Sequence, residues 1–123
     1  MDLISLPGRY AVCRLDPTAP TPAWATGPFV SVTRTAEELS VACSEDGVPP
    51  EVQSERDWRC LRVAGTLDFS LVGVLAGLVG PLAAAGVGVF SVSTFDTDYL
   101  LVKDRDLRRA VEVLRNAGHA VRV

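Results

Sequence analysis

Between Phe69 and Phe95 the chain carries no Asp, Glu, Lys, Arg or His. A charge-free run of this length must be covered, by lipid or by protein, because apolar surface is expelled from water. It then ends in two carboxylates, Asp96 and Asp98, inside STFDTDYLLV (93–102). Residues 71–90, LVGVLAGLVGPLAAAGVGVF, are long enough to cross a bilayer as a helix. They also hold Gly73-x-x-x-Gly77, a helix-pairing pattern in lipid. Three features argue against a span. Five glycines and Pro81 disfavour a continuous helix. The flanking charges are Asp68 and Asp96, with no adjacent Lys or Arg to orient it. And the period changes midway: Leu71, Leu75, Leu78 and Leu82 mark one helical stripe, whereas VGVFSVST after Gly86 is β-branched and alternating. The pattern predicts a helix over 71–85 kinked at Pro81, a stop at Gly86 and a buried strand over 87–94.

With 123 residues, 48% hydrophobic and 22% charged, the chain can build a real core. Twelve basic against fifteen acidic residues give a net charge of -3, without the basic surplus of a nucleic-acid binder. MDLISLPGRY opens with an acid at position 2 and does not read as a secretory signal. Cys13, Cys43 and Cys60 each fall in an expected strand and read as small buried hydrophobes in a reducing, cytoplasmic protein. With no CxxC and a single histidine, His119, a zinc site lacks ligands, and no metal or cofactor is expected.

Strands are expected at 58–65, 87–94, 99–103 and 120–123. A second helix presents Leu107, Ala110, Val111, Leu114 and Ala117 on one face. Ser70 or Asp68 is available to cap the first helix and Asp104 the second, and Gly118 can close the latter in the left-handed conformation. The order β-α-β-β-α-β is the ferredoxin-like unit, with both helices on one face of a four-stranded antiparallel sheet. The other face is left bare and invites a homodimer. In the first half, strands are expected at 9–15, 29–35 and 38–43. DPTAPTPAWATGP (16–28) has four prolines and replaces a crossover helix with a loop, while 48–56 reads as a short helix begun at prolines. The expected fold class is α+β, with a reduced lobe over 1–57 and a complete one over 58–123.

The segments LDFSLVGVLA, PLAAAG, STFDTDYLLV and the final AGH carry a resemblance to ACT-domain proteins, small βαββαβ modules that bind amino acids and related metabolites. The resemblance covers most of the chain and is strongest over 65–119. It extends to tandem arrangements similar to the ACT repeats of cytosolic arginine sensors and aspartokinases. It implies a regulatory sensor without catalysis, its effector a free amino acid held at an ACT–ACT interface. The implied contacts are Leu67, Asp68, Phe69, Ser70, Leu71, Val72 and Gly73, then Val89, Ser91, Val92, Ser93, Thr94 and Phe95. The implied ligand-facing acid is Asp98, with Asp96 second. The missing crossover helix of the first half is the departure from the family pattern, and bears on whether two equivalent sites exist.

The same residues have plainer readings. A loop feeding a helix N-terminus offers free N–H groups to a carboxylate, and Gly73 permits close approach; equally, LDFSLVG can be a capped helix start with Phe69 in the core. Asp96 and Asp98 can be turn formers or acceptors for a ligand ammonium. As a catalytic pair they lack a supporting cleft or base. Alternation puts Ser91 and Ser93 on one side of their strand and Phe90 and Val92 on the other, toward the helices. His119 reads as a complement to the end of the last helix. Trp24 and Trp58 read as core or interface anchors, and Arg105, Arg108, Arg109 and Arg115 as a solvated face. The alternative function is a protein-interaction module with a vestigial pocket.

Overall fold

A computed structural model describes residues 1–123. The chain divides into two units, Pro7–Trp58 and Met1–Leu6 with Arg59–Val123. The first six residues thus pack with the second half of the sequence, whereas a division at 57/58 assigns them to the first.

In unit Pro7–Trp58, strands β2 (Tyr10–Leu15), β3 (Ser31–Arg34), β4 (Leu39–Ser44) and the first part of β5 (Ser54–Val63) hydrogen-bond in the order β3-β4-β2-β5. β2 and β4 pair antiparallel over their full length, from Tyr10 opposite Ser44 to Leu15 opposite Leu39. One face buries Ala11, Cys13, Leu39, Val41 and Cys43, covered by Val48 and Trp24. The proline-rich stretch forms no helix, as its sequence requires. The helix expected over 48–56 does not form either. Pro49 starts a turn closed by Val52 N–H to the Pro49 carbonyl, and from Ser54 the chain extends to pair with β2. Sheet hydrogen bonds outweigh a two-turn helix too short to persist alone.

The other unit holds β1 (Asp2–Ser5), the last part of β5, α1 (Val74–Ala84), β6 (Phe90–Ser93), β7 (Asp98–Lys103), α2 (Leu107–Asn116) and β8 (Ala120–Arg122). Its strand order is β8-β1-β5-β7-β6. The ferredoxin-like β-α-β-β-α-β order over β5 to β8 is as expected, but the sheet is neither four-stranded nor wholly antiparallel. β1 lies between β5 and β8, antiparallel to the former and parallel to the latter. Leu3, Leu61, Val63, Leu100, Val102 and Val121 bury against Leu78, Leu82, Ala110, Val111 and Leu114 of the helices. The opposite sheet face is not bare at its centre, since Cys60 and Leu101 are both 0% exposed.

The register corrects the reading of β6. Ser91 lies opposite Leu100 and Ser93 opposite Asp98, while Phe90 and Val92 lie opposite Leu101 and Tyr99. Directly opposed residues share a face, and Leu100 belongs to the helix-side core. The serines therefore face the helix layer and Phe90 and Val92 face away, the reverse of the expectation.

Helix α1 starts at Val74, after Gly73 in the left-handed region at φ 81°, with no side-chain cap. Neither Ser70 nor Asp68 caps it, because Asp68 Oδ1 accepts the Ser70 N–H within its own loop. Gly86, φ 75°, ends the helix as expected. Pro81 sits inside the helix and has no N–H, so the Gly77 carbonyl loses its ladder partner. His119 supplies the substitute, with Nε2 3.1 Å from the Gly77 oxygen. Its ring serves α1 and not the end of α2 as expected. α2 closes instead through backbone bonds from Gly118 and His119, with Gly118 at φ 97°. Asp104 precedes α2 in a short 3₁₀ turn and pairs with Arg59 at 3.3 Å instead of capping. No helix is long and apolar enough to cross a membrane.

All three cysteines are free and buried. Burial pushes the Cys13 thiol up to about 11 and Cys60 to about 12, and raises Cys43 as well. Reaction needs the thiolate, so a disulfide reagent at pH 8 will titrate none of them in the native protein and all of them after unfolding in urea. A rapidly reacting native thiol contradicts the packing. A second expectation concerns Gly77. His119→Ala will cost roughly 0.5–1 kcal/mol in urea unfolding, the worth of one hydrogen bond. The cost will shrink in a Pro81→Ala background, where residue 81 can donate to Gly77 itself.

Candidate functional site

A cleft of about 260 Å³ opens on the helix side of the Met1–Leu6/Arg59–Val123 unit. It is lined by Leu67, Asp68, Phe69, Leu71, Gly73, Val74 and Leu75 on one side and by Ser93, Thr94, Phe95, Asp96, Thr97 and Asp98 on the other. It is smaller than the roughly 300–1,000 Å³ of sites for drug-sized ligands, a size suited to a small metabolite.

One wall is the β6–β7 hairpin. The Thr94 N–H donates to the Thr97 carbonyl at 2.8 Å, and the Thr97 N–H returns to Thr94 Oγ1 at 3.3 Å. Thr97, 5% exposed, donates its hydroxyl to the Val63 carbonyl at 2.7 Å and ties the turn to β5. Strand pairing sets Ser93 opposite Asp98, and its hydroxyl donates to Asp98 Oδ1 at 2.6 Å. Asp98 is only 9% exposed. No Lys, Arg or His lines the cleft to balance it. A carboxylate this buried ordinarily has a cation beside it; here one hydroxyl is the bond the chain itself provides.

The other wall is the 66–73 loop and the start of α1. The first helical bond runs from Gly77 N–H to the Gly73 carbonyl at 2.9 Å. The N–H groups of Val74, Leu75 and Ala76 therefore lie outside the ladder, at the positive end of the helix dipole. The loop is moored to the hairpin by Leu67 N–H to the Asp96 carbonyl at 2.6 Å. The Ser70 amide bond, with the Ser70 hydroxyl, holds the exposed Asp68 carboxyl below its usual value. The cleft is thus lined by the first residues of α1, Val74 and Leu75, on one side and by the buried Asp98 carboxylate on the other.

Of the residues expected here, Leu67, Asp68, Phe69, Leu71, Gly73, Ser93, Thr94, Phe95, Asp96 and Asp98 come together, whereas Ser70, Val72, Val89, Ser91 and Val92 do not line the cleft. Val92 is on the far sheet face, and Val72 is 95% exposed. Phe69, at 74% exposed, is not core. Val74, Leu75 and Thr97 are lining residues that the sequence reading missed. The first two follow from a helix start three residues later than the leucine stripe indicated. Thr97 sits between the two acids that drew attention.

The family model of the ACT domain matches residues 53–116. A second family model, of an N-terminal domain, matches residues 8–51. The human cytosolic arginine sensor for mTORC1 subunit 1 is 39% identical over 59 residues, 47% of this chain and 18% of that protein. The chain therefore spans under a fifth of the length of that relative. A crystal structure from Agrobacterium tumefaciens superposes with a TM-score of 0.92 at 41% identity, covering 98% of this chain and 90% of that one. The aspartokinase alpha and beta subunits superpose with a TM-score of 0.65 at 14% identity, over 95% of this chain and 97% of that one. This last likeness is one of fold. With the family match spanning 64 of 123 residues, the chain belongs to the ACT domain family.

Proposed function

We propose that this protein is a non-catalytic regulatory module that binds a free amino acid in the cleft between the α1 N-terminus and the β6–β7 hairpin. The observation that carries the reading is Asp98, nine-tenths buried, held by Ser93 and without a basic neighbour in the cleft. A cationic nitrogen of the ligand completes it, while the Val74 and Leu75 amides receive the ligand carboxylate. Arginine is a first candidate, since a 39% identical relative is named as an arginine sensor. The working compartment is the cytoplasm, in keeping with that relative's name and with the buried free thiols. No nucleic acid, membrane or cofactor takes part.

Binding acts by stabilising one assembly state. Val72, 95% exposed, and Leu71, 52% exposed, flank the cleft with apolar surface. A second copy of the chain covers them and closes the site at an ACT–ACT interface. That same exposure supports the one other reading, a protein-interaction module whose pocket no longer binds anything.

Thermal unfolding against the twenty amino acids tests the proposal. A true ligand at a hundred times its Kd stabilises by about 2.7 kcal/mol. Asp98→Asn will bind that ligand about ten- to a hundredfold more weakly, the worth of a hydrogen bond to a charged group, with far-UV circular dichroism unchanged. Sedimentation will show the dimer population rising with ligand. Absence of any shift across the panel rejects amino-acid sensing and favours the interaction module.

A further inference from the structure

We infer that Phe69 and Phe95 form the side-chain subsite of this cleft, and that the subsite selects amino acids whose side chains carry a long aliphatic stem. The inference rests on the amino-acid reading above and specifies what that site accepts. Once the helix amides and Asp98 have taken the charged ends, the apolar part of the remaining wall is led by Leu67, Phe69, Leu71 and Phe95, beside the polar Asp68, Thr94 and Asp96. The two rings come from different segments, one from the 66–73 loop and one from the hairpin turn. They meet edge to face, centroids 4.9 Å apart at 89°, the geometry aromatic quadrupoles favour. Yet Phe69 is 74% and Phe95 79% exposed, so their contact leaves most of both rings in water. Two large apolar side chains held together at a cleft mouth, with most of their surface uncovered, are placed to cover the stem of a ligand.

Gly65, φ 84°, and Gly73, φ 81°, bracket the loop that carries Phe69, and no atom lies within 4 Å of where either would place a Cβ. Between them the Leu67 N–H holds the loop to the Asp96 carbonyl of the hairpin. Each methylene buried against the rings adds about a factor of four in affinity.

Calorimetry on the full chain decides the matter with two ladders of ligand. One runs alanine, 2-aminobutyrate, norvaline and norleucine; the other runs 2,4-diaminobutyrate, ornithine and lysine, with a cationic tip. The expected result is a three- to fourfold gain per methylene in at least one ladder. The gain per methylene will be flattened in Phe69→Ala/Phe95→Ala. Asp98→Asn will instead weaken every member by a common factor and leave the slope. Both rings are exposed, so the double variant retains the core, and its unfolding midpoint checks this. If amino acids bind with no dependence on chain length, or the double variant keeps the slope, the subsite is wrong and the amino-acid site stands. If none of the ladders or the twenty amino acids binds the unaltered protein, both readings fall together.

Discussion

Everything near the cleft depends on which way α1 is turned about its axis. The helix has no charged residue, so the usual division into a polar outside and an apolar inside does not orient it. Size does the sorting. Leu78 and Leu82 are fully buried against Leu61, Leu100 and Leu114, whereas Ala76, Gly77, Gly80 and Ala83 face outward. Leucine in place of alanine is worth several buried methylenes, each about 0.8 kcal/mol. That difference is enough to fix one rotation, and it sets Gly73, Val74 and Leu75 beside the hairpin.

The same orientation gives the site its polarity. Free amides at the start of α1 and a sheltered carboxylate on β7 come from elements that the leucine core holds in register. Asp98 owes its shelter to position. It is the first residue of β7, with Ser93 opposite and Thr97 bolted to β5 immediately before it. A buried carboxylate costs folding free energy unless it is bonded, and Ser93 offsets part of that cost. Asp96, two residues earlier, is on the exposed turn, which separates the roles of the paired acids.

Much of this was legible in the sequence. The leucine stripe of α1, the alternation after Gly86 and the amphipathic α2 each express a local period. Most of the cleft residues followed from the family motifs around LDFSLVG and STFDTD. What escaped was decided by distant partners. β1 is four residues, DLIS, too short to signal a strand, and it exists because β5 and β8 flank it. Phe90-Ser91-Val92-Ser93 alternates cleanly, but alternation does not say which side is inside. The opposing Asp98 and Leu100 turn the serines inward. The misplaced cap has a local cause, since Asp68 bonds Ser70 before it can reach the helix.

The place of β1 has a consequence for how the chain is made. Synthesis delivers β1 long before β8, with all of Pro7–Trp58 in between, yet β1 pairs with β8 in parallel register from Asp2 beside Ala120 to Ile4 beside Arg122. Such a pairing, across more than a hundred residues, carries a large loop-closure entropy. As the chain leaves the ribosome, the middle unit can gather its own strands while the first strand waits without its β8 neighbour. The β1–β8 contact forms only once β8 has emerged.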